Sequence, residues 1–377
     1  MVKRFFFDRP LVLLHSDDWG RVGVRDREGF EQLRSAGVFL GESPYDYYTL
    51  ETPEDVNAVH DLLAGHRDST GRAACLEMDF VLANVDFEKS WSDDLRRIHL
   101  RWLSDGFPGQ WTRQGLFEAY ASGIADGVFY PALHGVTHFC KAAMMRALCQ
   151  QNDRGQLLRT LWQAETPYIH WRMPWIGFEY WDIECPVKQR FLPAELQQQA
   201  IHEAVSSFTR LFLRPPVSAC APGYRANADT YSAWASAGIR VAQNGTGTIT
   251  PALLDRHGLL QIVRSTDFEP VVHPSFSAKN CLRAADASFA RGIPLIVSVH
   301  AINFHSSLKD FRSTTLSQLD DFLCCLKVKY PDLLYINDAD LWEIVNTGKY
   351  EHAEGGVSVR VKQQSYETQH LAAGLVP

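Results

Sequence analysis

The chain reads as an α/β protein in which short apolar strands alternate with amphipathic helices. A (β/α) barrel of about seven strands is the first expectation and a doubly wound open sheet the second. Three observations predict this. Apolar runs of strand length are separated by stretches of helical spacing along most of the chain. The polar clusters Asp17–Asp18, His134–His138, Arg225 and His300 each fall at the end of an apolar run, where parallel α/β folds gather functional residues. With 377 residues and 46% hydrophobic side chains, the chain is long enough for one large α/β domain or two smaller ones.

The elements follow in order. MVKRFFFDRPLVLLHSDD reads as the first strand of the fold, because Asp8, Arg9 and Pro10 break the apolar stretch and no small-residue cleavage site follows it. DREGFEQLRSAGV has helical spacing and stops at Gly37, and AACLEMDFVLANV reads as a second strand region. A helix lies within SDGFPGQWTRQGLFEAYASGIADG, and VFYPALHGVTH is a short apolar run that ends in histidines. PAELQQQAIHEAVSSFTRLFL is an amphipathic helix with Leu196, Ile201, Val205, Phe208 and Leu211–Phe212 near one stripe. PVSACAPGYRAN is a strand and loop, and TYSAWASAGIRVAQNG a helix and strand. ASFARGIPLIVSVHAINFHS and TLSQLDDFLCCLKVKYPDLLYIND each carry a helix followed by a strand. Residues 1–350 are expected to form one barrel domain, with an aromatic-rich insertion at about 151–195 that fits either a lid over a site or a plug against the barrel. Residues 351–377 lose the periodicity and read as a C-terminal tail or appendage.

Composition excludes some partners. The net charge is −7 and no basic run stands out, so nothing draws nucleic acid or an anionic membrane. No stretch approaches the length of a membrane span. The eight cysteines lack a C-x-x-C pair, and with no secretion signal they read as reduced thiols of a cytoplasmic protein. No G-x-S-x-G elbow or P-loop is present.

The polar clusters carry the chemistry. HGVTH places two imidazoles four residues apart, which on a helix or its first turn puts both on one face toward a metal. Two histidines and a carboxylate form a common catalytic ligand set. A divalent cation would also offset the repulsion between Asp17 and Asp18, although the pair taken alone reads first as a solvated strand end or a helix N-cap. One carboxylate would bind the cation and the other take a proton from water. His300 suits a general acid, Arg225 a partner that orients a carboxylate, and Asp267 a partner that fixes an imidazole tautomer.

In order, SDDWG, HGVTH, APGYRA and VSVH resemble the motifs of the NodB-like polysaccharide deacetylase superfamily, across residues 11 to 305. SDDWG is also similar to the N-A-D-D-F-G start of the YdjC-like carbohydrate deacetylases. The resemblance implies a deformed (β/α) barrel and metal-dependent removal of an N-acetyl or other acyl group from an amino sugar or polysaccharide precursor. It implies Asp17 as base, Asp18, His134 and His138 as ligands of a divalent metal, zinc being the one expected, and His300 as acid. Arg225 falls to the base-contacting arginine, although here it follows the Pro-Gly, and Asp267 loosely meets the remaining Asp-based motif. Gly135 replaces the usual Ser or Thr, and Trp19 stands where the first motif has Gly. Trp19, Trp171, Trp175 and Tyr224, with Tyr180 and Trp181, are the side chains expected to face sugar rings. A glycoside hydrolase drawing on Glu77 or Asp79, and a carbohydrate-binding relative without turnover, are the alternatives.

Overall fold

A computed structural model describes residues 2–273, 275–351 and 356–366. Twelve strands share one mixed sheet: β1 Val2–Phe7, β2 Leu11–Trp19, β3 Leu76–Phe80, β4 Phe129–Leu133, β5 Ser218–Cys220, β6 Val241–Asn244, β7 Ala252–Leu254, β8 Leu260–Val263, β9 Thr266–Asp267, β10 Leu295–His300, β11 Leu334–Tyr335 and β12 Val361–Tyr366. Their order is β9-β10-β2-β3-β4-β5-β6-β8-β7-β1-β12, with β11 added beside the start of β2. The run from β9 to β8 is parallel throughout, and β7, β1 and β12 continue it antiparallel. The sheet curls into a half-barrel with helices packed on it, a deformed α/β barrel. The parallel run holds eight strands against the expected seven or so, because β8 and β9 come from GLLQIVRSTD, where no element was expected.

The N-terminal segment is two strands and not one. Asp8–Pro10 break it, and β1 crosses to the far side of the sheet, where it lies between β7 and β12. All nine residues of β2 are buried, as expected of a central parallel strand covered on both faces. On the helix Ala194–Phe212 the buried stripe runs through Gln197, Ile201, Ala204 and Phe208. Leu196, expected on that stripe, is exposed; one position further along, Gln197 faces inward and donates to the carbonyl of Leu192. The first part of the expected tail forms β12, antiparallel to β1 over six residue pairs; residues 352–355 and 367–377 of that segment lie outside the described residues. All eight cysteines are free. Among the described residues no helix is long and apolar enough to cross a membrane.

Candidate active site

Strand alternation should send Asp17 and Asp18 to opposite faces of the sheet. It does not, because β2 slips its register against β3 between Ser16 and Trp19, and Asp18 takes a left-handed φ of 79°. Asp tolerates this conformation better than most residues, and the bulge re-aims its side chain. Both carboxylates therefore meet His134 at the carboxyl end of the parallel strands. Trp19 pays for the turn by going inward: it is fully buried and stacks on Phe304 at 6.0 Å. The expectation that Trp19 faces a sugar is corrected on this point.

HGVTH is a bend beyond β4, not a helix. His134 Nδ1 lies 3.0 Å from the carbonyl of Cys220 at the end of β5. A carbonyl only accepts, so Nδ1 carries the proton and Nε2 presents its lone pair. That Nε2 is 3.7 Å from Asp18 Oδ1, and His138 Nε2 is 3.1 Å from the same oxygen. Burial holds both imidazoles below their usual pKa, His138 the more strongly, which favours the neutral form that binds metals. Asp18 Oδ1 is buried and has no hydrogen-bond partner among the described residues. A carboxylate oxygen and two imidazole nitrogens facing one another without a shared proton are costly in a dry site unless a cation joins them. The donor set thus fits a divalent metal, and its three ligand atoms lie within 4.8 Å of one another.

The other Asp18 oxygen accepts from Arg21 Nη2 at 3.0 Å. Arg21 also donates to the Tyr168 hydroxyl at 2.5 Å, and that hydroxyl is 3.2 Å from His138 Nδ1. Burial disfavours the Asp18 charge, but Arg21 and the histidines outweigh it and hold the carboxyl far below its usual range.

Asp17 is held by Arg264 in a two-pronged pair, Nη2 to Oδ1 at 2.5 Å and Nη1 to Oδ2 at 2.7 Å. The Tyr224 hydroxyl donates to Asp17 Oδ2 at 2.9 Å. Arg264, almost fully buried just past β8, further donates to Asp79, Gln243 and Ser298. Burial alone would raise the Asp17 pKa, yet Arg264 keeps it well below the usual carboxylate range. Arg225 does not reach Asp17. It is exposed, and its guanidinium lies over the Trp181 ring at 4.7 Å. The Pro222–Tyr224 turn brings Tyr224 inward at φ 58° and leaves the next residue pointing out.

His300 ends β10, with Nε2 at 3.7 Å from Asp17 Oδ2. Its Nδ1 is 2.6 Å from Glu269 Oε1, which also accepts from the His300 amide. Asn303 fills the other Glu269 oxygen at 2.5 Å. Burial opposes a charged ring, but Glu269 prevails and raises the His300 pKa to about 10. Glu269 thus occupies the position expected of Asp267, two residues along. Asp267 instead accepts from the Thr246 hydroxyl. Glu77 and Asp79 are fully buried, Glu77 against Ser218 and the amide of Asp338, and Asp79 against Arg264.

The irregular segment 164–193 lies against this centre. It supplies Tyr168, and the rings of His170 and Phe178 lie 5.5 and 5.6 Å from that of His138. Its Glu179 clasps the HGVTH bend, accepting from the amides of Val136 at 2.9 Å and Thr137 at 3.3 Å. This explains Gly135: its φ is 78°, and a Cβ there would stand 2.0 Å from Glu179 Oε2. Trp171 is 65% exposed at the rim, with φ 67°, beside Tyr45 and His170. Trp175 is half-buried under Arg154, and Tyr180 is buried.

Arg21, Tyr168, Glu179, Arg264 and Glu269 were not singled out from sequence. Arg264 carried a signal, since it follows the apolar run LQIV as His300 follows LIVSV.

No protein-family model matches the chain, and no curated protein matches it. Solved structures similar to it include a Mycobacterium smegmatis protein described as a polysaccharide deacetylase, at 12% identity and a TM-score of 0.48, covering 89% of this chain and 90% of that one. A family 4 carbohydrate esterase from Streptomyces lividans, solved with acetate, is 12% identical with a TM-score of 0.33, over 86% and 90% of the two chains. The 4-alpha-glucanotransferase of Thermococcus litoralis is 7% identical with a TM-score of 0.43, over 89% of this chain and 40% of that one. At such identities and scores the likenesses say nothing of activity, and the chemistry rests on the site itself.

Proposed function

We propose that the protein is a metal-dependent hydrolase that removes an N-acetyl, or a related acyl, group from an amino sugar or a glycan precursor. The observation that carries this reading is the orphaned Asp18 oxygen facing two imidazole nitrogens, flanked by an Arg-held carboxylate and a Glu-held imidazole. Asp18, His134 and His138 would hold the cation, and zinc suits such a set. When bound, it supplies Lewis-acid polarisation of the acyl carbonyl and makes water more acidic.

The chain's own groups do the rest. Asp17, ionised and fixed by Arg264 and Tyr224, takes a proton from the attacking water. His300, whose Nδ1 is occupied by Glu269, gives the proton on Nε2 to the departing amine. Acetate and a free amine result. Glu269 keeps the imidazole charged until that transfer. The ring of Trp171, exposed at the rim, suits the apolar face of a sugar ring. The motif order described above supports an amino-sugar amide over other amides.

The test is metal content together with acetate release from a panel of N-acetylated amino sugars. Asp17→Asn is expected to keep the metal and lose turnover by at least about a hundredfold. His134→Ala should lose both. A protein without metal that responds to His134→Ala, and whose stability is unchanged in chelator, would sink the reading. Metal bound at that site without release of acetate or cleavage of any sugar would favour a binding protein.

A further inference from the structure

A second cluster of metal-ligating side chains lies at the other end of the barrel. His66 follows the helix Pro53–Gly65, and Asp320 and Cys324 are on the helix Arg312–Lys329. The latter pair is spaced four residues apart, which places both on one helix face. His66 Nε2 is 2.8 Å from Asp320 Oδ1, and one donor atom from each of the three residues lies within 4.8 Å of the others. Bonds of about 2.0–2.3 Å to a tetrahedral zinc set its ligands about 3.3–3.8 Å apart, so small rotations of three side chains close the site.

The surroundings suit a cation. Asp320, Asp321 and Cys324 are exposed, so an ion has a path in. His66 is the least mobile ligand. Its amide donates to Leu63 and its carbonyl accepts from Ala74 at 2.8 Å. Three residues later the amide of Ser69 donates to the carbonyl of Leu333, tying this loop to the chain leaving the other helix. A cation that binds there displaces the Cys324 thiol proton, because the thiolate is the form that ligates. The cluster is remote from the proposed active centre. The chain leaving the helix Arg312–Lys329 enters β11, which pairs with Leu11 and Val12 at the start of β2, whereas Asp17 and Asp18 are at its end.

We infer that His66, Asp320 and Cys324 form a surface zinc site that fastens the end of the helix Pro53–Gly65 to the helix Arg312–Lys329, with water completing the tetrahedron. Its role is to stabilise the fold, not to take part in turnover. Binding releases the thiol proton to solvent and changes no oxidation state.

Cobalt distinguishes this site from the proposed active one, because thiolate ligation adds a near-ultraviolet charge-transfer band. The full chain is stripped with chelator, kept reduced, and titrated with Co2+ and then Zn2+. Wild type should bind about two equivalents and show the thiolate band. Asp18→Ala should bind about one and keep the band. Cys324→Ser should bind about one, lose the band, keep its activity, and lose the part of the zinc-dependent rise in Tm that Asp18→Ala retains. His66→Ala should match it. A band that persists in Cys324→Ser belongs to another thiol and overturns the site, as does a wild-type protein whose metal is all lost in Asp18→Ala. The two results are independent, so a failed active centre would leave this site intact.

Discussion

At the scale of single residues, the centre depends on which arginine meets Asp17. Arg264 carries two carboxylates, Asp17 and Asp79, in a fully buried setting. Removing one partner of such a group leaves charges uncompensated, a loss of about 3–5 kcal/mol. Arg264→Met is therefore expected to lower stability in denaturant by that amount and to abolish turnover. Arg225→Met, which removes only a guanidinium stacked on Trp181, should leave stability within about 0.5 kcal/mol of wild type. Equal losses in the two variants would return the role to Arg225.

His300 gives a prediction in pH. Its folded pKa, about 10, lies above the unfolded value of about 6.5. The stability it contributes is thus complete below about pH 6.5 and is lost as pH rises through about 10. Glu269→Gln removes the partner that holds the proton, so the loss on raising pH should shrink. The alkaline limb of the kcat/KM profile should move to lower pH. Denaturation at several pH values and a kinetic pH profile read the two effects separately. A profile unmoved by Glu269→Gln would place the limb on another group.

At the scale of elements, the bend HGVTH is shaped by a segment far along the chain. Gly135 needs its left-handed backbone, and a methyl group there would displace Glu179. Gly135→Ala is expected to cost about 1–2 kcal/mol from the backbone alone, and more from the lost clasp on Val136 and Thr137. Combining it with Glu179→Ala should cost less than the sum of the single changes, because the first has already dislodged the carboxylate. A double-mutant cycle by denaturation, with metal content alongside, measures this. Strict additivity would mean that the glycine and the glutamate do not act through one another.

The same element shows what was legible in the sequence. Residues at the ends of apolar runs could be found by local pattern, and Asp17, Asp18, His134, His138 and His300 do converge. Their holders were not legible, since Arg264 reaches Asp17 across 247 positions and Glu179 reaches Val136 across 43. Such pairs follow from sheet order, on which local periodicity is silent. Asp267 and Arg225 were reasonable by residue type and wrong by position. A two-residue strand sends Asp267 to Thr246, and the left-handed Tyr224 turns Arg225 outward.

At the scale of the whole molecule, among the described residues the sheet has two edges instead of closing, and each needs protection. The alternation of strands and helices predicts the parallel run but not the antiparallel extension through β7, β1 and β12, because strands far apart in sequence leave no shared period. β12 covers β1, whose VKRFFF would otherwise present unpaired amides and carbonyls beside the buried Phe5 and Phe7. Ending the chain at Gly356 removes β12 and should lower Tm and promote self-association, seen as a concentration-dependent rise in light scattering. A chain ending at Tyr366 keeps all six residue pairs and is the reference for both properties. Catalysis should survive in the shorter chain at temperatures where it stays folded, because six strands, β3, β4, β5, β6, β8 and β7, separate β2, which carries Asp17 and Asp18, from β1 along the sheet. A Gly356-terminated protein that stays monomeric with an unchanged Tm would show that β1 needs no partner on that side.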